Sequence, residues 1–172
     1  MLKSDDELCH DPPAAWGRWQ DNFWFVGWDD ERRAGFMIHA KSGQDTDIRV
    51  AVFDASGSEA LTFVGPGGQG LNVEGFEAQP DPPFETWRIK ATRDGATTLD
   101  LTISDKTQPL DFEVVLGQFN EQGLEAGIGH YQIGIRWAAE FSIGGRSVSA
   151  SGLGVRDHSW GERDVRSFDK AW

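Results

Sequence analysis

Residues 152–164, Gly-Leu-Gly-Val-Arg-Asp-His-Ser-Trp-Gly-Glu-Arg-Asp, hold the densest set of proton-handling side chains in the sequence. Asp157 and His158 are the best acid–base pair available, and Trp160 lies two residues further on. In a regular strand, side chains alternate between faces, so His158 and Trp160 share one face while Asp157 and Ser159 take the other. Asp157 and His158 therefore meet as a dyad only if the chain bulges or turns, which Gly152, Gly154 and Gly161 would permit.

The elements that must hold these residues follow from the alternation of apolar and polar positions. Residues 130–143 (HYQIGIRWAAEFSI) form the longest strand candidate, with Ile133, Ile135 and Trp137 on one face and His130, Gln132, Gly134 and Arg136 on the other. Gly144-Gly145 is a hairpin turn, and Arg146 onward returns into the Asp157-His158 stretch. Counting outward in register from a 143–146 pair places His130 opposite Ser159, one residue from His158. Asn22 to Trp28 (NFWFVGW) is apolar on both faces, as in a strand buried on two sides or lining a cavity. Further strands are expected at residues 35–41, 47–54, 59–64, 84–93, 96–104 and 110–116, with Asp94-Gly95 as a second tight hairpin. Residues 1–20 read as an irregular leader broken by Pro12 and Pro13, in which Trp16 and Trp19 could anchor to the body. Gln79 to Pro83 is another break, and residues 117–129 form a long loop. No stretch shows a convincing helical period. The expected fold is all-β, an antiparallel barrel with a β-sandwich as the alternative, and residues 21–172 make a single β-domain.

Bulk properties narrow the function. The 172 residues suit one domain, and 16 basic against 28 acidic residues give a net charge of −12, with the acids spread along the chain. That balance disfavours nucleic acid and anionic membranes, whose phosphates need clustered Lys and Arg. The single Cys9 excludes an internal disulfide. The N-terminus lacks the apolar core of a signal peptide, and no apolar run spans a membrane, so a cytoplasmic setting is expected. Histidines 10, 39, 130 and 158 show no close ligand spacing such as His-x-His, so no metal and no cofactor is expected. Residues 65–70 (GPGGQG) lack the lysine and the following helix of a phosphate loop.

The stretch GLGVRDHSWGERD resembles the Asp-His-Ser/Asn-Trp-Gly signature of the carotenoid hydratase (hydroxyneurosporene synthase) and AttH-like family. His130-Tyr-Gln132, the Gly-Gly hairpin and the run TWRIKATRDGATTLDLTIS (86–104) are also similar to that family's first half. The resemblance implies a lipocalin-like barrel, with Asp157, His158 and Trp160 at signature positions. It also implies acid–base hydration, isomerisation or cyclisation of an isoprenoid- or polyketide-like molecule. Members of that family carry two such β-domains. A second β-domain chain or a second copy is accordingly an expected partner.

Adding water to an isolated alkene needs a strong proton donor in a dry pocket, and the resulting cation needs aromatic faces nearby. Asp157 is the candidate donor, and His158 and His130 are candidate tuning or base groups. Trp160 is a candidate wall, and part of the set Trp24, Trp28, Trp87 and Trp137 is expected to line a cavity for the hydrophobic ligand. The competing reading is structural: Asp157 pairs with Arg156 or Arg163 at a barrel rim, and Trp160-Gly161 plugs the barrel end. Two non-catalytic functions stay open, a lipophilic-ligand carrier and a carbohydrate-binding β-sandwich with tryptophans on one concave face.

Overall fold

A computed structural model describes residues 2–11, 19–68, 70–116 and 128–162. Ten strands form among the described residues: β1 (Trp19–Asp29), β2 (Ala34–Ser42), β3 (Asp45–Asp54), β4 (Gly57–Pro66), β5 (Phe76–Pro80), β6 (Thr86–Arg93), β7 (Ala96–Asp105), β8 (Leu110–Asp111), β9 (Gly129–Ile143) and β10 (Arg146–Glu162). All pairings are antiparallel, in the order β4-β3-β2-β1-β10-β9-β7-β6-β5, with β8 beside β9. The sheet curls until its edges approach. Phe63 of β4 and Phe76 of β5 have ring centroids 5.6 Å apart, and Arg93 of β6 reaches Glu59 and the carbonyl of Ala60 on β4. The result is a nearly closed antiparallel, lipocalin-like barrel. One sheet wraps onto itself, so the β-sandwich alternative falls.

The strands form where the period of two is cleanest. β9 buries every second residue from Tyr131 to Ile143, and those inward side chains meet Phe23 and Phe25 of β1, Phe36 and Ile38 of β2, Ile89 of β6 and Leu99 of β7 in one continuous core. The hairpin register from Arg146↔Ile143 runs without a bulge to Trp160↔Gly129, so His130 does lie opposite Ser159. Gly144 and Gly145 adopt φ of 57° and 81°, which the tight turn requires and L side chains resist. The signature glycines answer to close approach: a Cβ on Gly152 or Gly154 would sit 2.0 Å from the carbonyl oxygen of Trp28 or Val26.

Several elements differ from the sequence reading. Residues 110–116 are not a strand. β8 ends after two residues and a short helix, α1 (Phe112–Leu116), follows. Asp111 explains the switch, because its Oδ1 accepts the backbone N–H groups of Glu113 and Val114 and so caps the helix start. The break expected at residues 79–83 begins later, and β5 runs through Pro80, the last residue of an edge strand. The leader holds a 3-10 turn at Ser4–Glu7, and β1 starts at Trp19. Trp16, Pro12, Pro13, residues 117–127 of the long loop and Arg163 lie outside the described residues. No helix among the described residues is long and apolar enough to cross a membrane.

Candidate functional site

β10 carries two chemistries on its two faces. Arg156, His158 and Trp160 point inward and are buried, while Asp157 and Ser159 point outward and are half-buried. The strand stays regular here, so Asp157 and His158 are not a dyad.

The inward face meets the leader. Glu7, fully buried, reaches into the barrel end, where its carboxylate accepts the Trp87 indole N–H at 2.8 Å, the Phe84 N–H at 3.2 Å, Arg156 Nη1 at 2.7 Å and the Tyr131 hydroxyl. Arg156 also grips Asp105 in a fork, Nε–Oδ1 at 2.8 Å and Nη2–Oδ2 at 2.6 Å. Burial alone would disfavour the guanidinium charge. Asp105, Tyr131 and Glu7 outweigh it and raise its pKa. Burial, then the Glu7 charge, pushes the Tyr131 phenol well above its usual range.

Beside this network sits a histidine–aspartate–histidine cluster. Asp21 Oδ1 lies 2.7 Å from His10 Nδ1 and 3.0 Å from His158 Nε2, while Oδ2 accepts the His10 backbone N–H and the Trp19 indole N–H. His158 stacks on Phe23 with ring centroids 3.7 Å apart, and His10 stacks on Trp160 at 4.3 Å. Desolvation holds His158 below the ordinary histidine value, with Asp21 opposing. Desolvation also opposes charge on His10, but Asp21 and then Asp6 outweigh it and raise its pKa. Asp21 is lowered because its histidine hydrogen bonds overcome its own burial. Cys9 is neighbour to this cluster, and burial pushes its thiol up to about 12, away from nucleophilic chemistry.

The outward face holds the second constellation. His130 Nε2 lies 2.5 Å from Asp157 Oδ2, and Gln132 Nε2 donates to the same oxygen at 3.1 Å. Phe112 of α1 stacks on His130 with centroids 4.1 Å apart. On the other side, Trp24 pairs with Asp157 in the β1–β10 register and tilts against His39, 4.9 Å away. Burial, then Lys41 and Arg49, holds His39 below its usual value. From Trp24 an apolar strip continues along the outer surface. Val26 pairs with Val155 and Met37, and Trp28 with Leu153, and of these Leu153 is 63% exposed and Trp28 44%. Beside α1, a groove of about 450 Å³ runs past Leu2, Phe84, Pro109, Val114 and Val115.

Of the residues singled out for catalysis, the structure brings Asp157 and His130 together and sets His158 apart on the opposite face. Asp157 takes His130 as its partner, whereas Arg156 faces inward to Asp105 and Glu7. The tryptophans divide likewise. Trp87 and Trp137 are core residues, each 1% exposed, with indole N–H groups bonded to Glu7 and to the Leu153 carbonyl. Trp160 closes the barrel end against His10, while Trp24 and Trp28 lie outside. The expected arrangement, with Asp157 facing a ligand inside the barrel, does not form. The interior at that level is filled by Phe23, Phe25, Trp87 and Tyr131, and Asp157 faces away from it.

Sequence reasoning missed Glu7, His10, Asp21, Asp105 and Tyr131. The first two stand in a polar leader that reads as irregular; Glu7 is 149 positions from its partner Arg156, and His10 bonds Asp21 and stacks on the distant Trp160. One signal was present: an arginine at an inward position of a strand, Arg156, demands a buried acid.

Comparison with known proteins bears on the fold. No curated protein matches the chain. Among solved structures, an AttH protein from Nitrosomonas europaea matches with a TM-score of 0.56 at 12% identity, covering 86% of this chain and 52% of that one. Kievitone hydratase from Nectria haematococca matches with a TM-score of 0.49 at 15% identity, covering 95% and 52%. CghA in complex with Sch210972 gives 0.44 at 11% identity, covering 90% and 54%. The chain spans about half the length of these proteins. At such identities the AttH match shows the barrel fold alone. A family described as Domain of unknown function (DUF7064) matches residues 3–172, so the chain belongs to the DUF7064 family.

Proposed function

We propose that the outer-face pair His130–Asp157 performs acid–base catalysis on a hydrophobic small molecule, by hydration, isomerisation or cyclisation of an alkene-bearing isoprenoid or polyketide. The 2.5 Å contact between an imidazole and a carboxyl group that are each about one-fifth exposed, walled by Phe112 and Trp24, carries this reading. In hydration, the Asp157 carboxyl gives its proton to an alkene carbon, forming a C–H bond as the double bond breaks. Water captures the cation, and His130 accepts the proton that water loses and returns it to Asp157. The net change is H–OH added across C=C. The ring faces of Trp24 and Phe112 suit the intermediate cation. The apolar strip and the groove beside α1 suit a greasy substrate. The resemblance to the carotenoid hydratase and AttH-like family supports the reaction class. A second β-domain or a second copy laid over the strip would supply the dryness that proton transfer to carbon needs.

Incubating the protein in D2O with a panel of acyclic isoprenoid alkenes, followed by mass spectrometry, tests the reading. Wild type is expected to give deuterated or hydrated product, and Asp157→Asn or His130→Gln to lose about 10²–10⁴-fold in rate. Unchanged turnover in Asp157→Asn would remove it as donor. Binding without turnover in wild type would favour a lipophilic-ligand carrier, which the exposed strip also suits.

A further inference from the structure

We propose that His10, Asp21 and His158 bind a divalent first-row transition metal of the zinc class, and that this ion pins the leader to the barrel. The three come from the leader, β1 and β10, and their ligating atoms lie within 4.8 Å of one another. Imidazole nitrogen with one carboxylate oxygen is a donor set that suits zinc, cobalt or nickel and not calcium or magnesium.

Hydrogen bonding assigns the tautomers. His158 Nδ1 faces the Asp6 carbonyl oxygen at 2.8 Å, and a carbonyl can only accept, so Nδ1 carries the proton. His158 Nε2 then turns a lone pair toward Asp21 Oδ1, only 3.0 Å away and itself an acceptor. Two acceptors at that distance need a cation between them. A proton would do so by making a charged imidazolium at a site that is 0% exposed, stacked on Phe23 and tilted against Trp160. A metal does so with His158 neutral, as burial prefers.

The surroundings match what a metal's ligands require of their neighbours. Ligating histidines generally donate the other ring N–H to a carbonyl or carboxylate. His158 does this to the Asp6 carbonyl. With Nδ1 as its ligand, His10 directs Nε2 toward Asp6 Oδ1, 3.5 Å away, and that nitrogen has no other partner among the described residues. Asp21 Oδ2 is held by the His10 N–H and the Trp19 indole, which leaves Oδ1 for the ion. The consequence is mechanical. An ion linking residues 10, 21 and 158 holds the leader down, and with it Glu7 at the centre of the buried network.

The test uses the full chain after dialysis against EDTA. Zinc is added and counted by elemental analysis after gel filtration, cobalt is followed by its visible absorption, and thermal unfolding is followed by circular dichroism. About one zinc per chain, a cobalt spectrum of nitrogen–oxygen coordination and a raised melting temperature are expected. His10→Ala and Asp21→Asn should weaken binding at least ~100-fold. His10 lies in the leader outside the strands, so His10→Ala is expected to keep the barrel's far-UV spectrum even if Asp21→Asn does not fold. Failure of wild type to hold zinc at micromolar concentration would overturn the proposal and leave the cluster a proton store. Zinc binding unchanged in His10→Ala would also overturn it. Neither result bears on His130–Asp157, which lies on the other face.

Discussion

The two faces of β10 differ in how completely their polar groups are satisfied. Inside, Arg156 makes four hydrogen bonds to Asp105, Glu7 and Tyr131, and His158 is held at both ring nitrogens. Outside, Asp157 and His130 hold each other and remain about one-fifth exposed. A barrel interior must satisfy every charge because water cannot, so its polar residues are committed to structure. The outer pair has no such obligation, and under the proposed function it is the pair that exchanges protons with a bound molecule. Neighbours in sequence, Asp157 and His158 thus belong to different machines, and that division can be attacked from either side.

The largest effect is expected inside. Arg156→Ala would strand Glu7 and Asp105 as buried carboxylates, at a cost of about 3–5 kcal/mol, read by urea unfolding. Loss of less than ~1 kcal/mol would mean the interior is wet or that the leader detaches easily. Arg156→Met, paired with Glu7→Gln and Asp105→Asn, should recover much of the loss, because the stranded charges are then gone. Next comes the backbone seam between β1 and β10. Gly154→Ala places a methyl group 2.0 Å from the Val26 carbonyl oxygen, so the strands must part. About 1–3 kcal/mol should be lost, and the outer pair should loosen with it, because Trp24 and Asp157 sit across that seam.

A smaller effect, visible as a slope, is expected from the His10–Asp21–His158 cluster in metal-free protein. His10 has a raised folded pKa, so its contribution is present below the unfolded value near 6.5 and is lost as pH rises through the folded value. His158 has a lowered folded pKa, so the unfolded chain takes the proton first and stability falls as pH drops below about 6.5. Asp21 is lowered, so its contribution holds above about 3.8 and disappears as pH falls through its folded value. Around pH 6.5 the two histidines oppose each other. His10→Asn removes one arm, and the variant should gain stability with rising pH, by at most about 1.4 kcal/mol per pH unit. Urea unfolding from pH 5 to 8 in the presence of EDTA checks the sign. A flat profile in the variant would mean that His158 does not titrate differently on unfolding.

These contrasts also mark where the sequence could be read. Period two in β9 and β10, with the Gly-Gly turn, was enough to place His130 opposite Ser159 and to separate Asp157 from His158, because hairpin register is local arithmetic. Residues 112–116 failed, since Phe112, Val114 and Leu116 alternate as in a strand while the deciding interaction is the Asp111 cap, which apolar pattern does not reveal. Glu7 and His10 failed for a different reason. Glu7's partners and the Trp160 ring under His10 are far away in the chain, and nothing in a short polar segment says that it will be drawn into a barrel. The bifacial apolar pattern of Asn22–Trp28 was legible, but its two explanations differ only in three dimensions. Phe23 and Phe25 fill the core, and Trp24, Val26 and Trp28 lie outside on the strip.

The smallest effect is the one that most sharpens the division. Asp157→Asn and His130→Gln remove a part-exposed hydrogen-bonded pair, and pairs that water reaches contribute about 0–1 kcal/mol. Each variant should unfold in urea within ~1 kcal/mol of wild type, and the double variant should show little coupling beyond that. If the pair were a structural rivet, the two single losses would be large and the double no worse than either. Small stability changes alongside a collapse in turnover would separate proton transfer from support, which a fully buried pair such as Arg156–Asp105 can never do, because there the same substitution removes both at once.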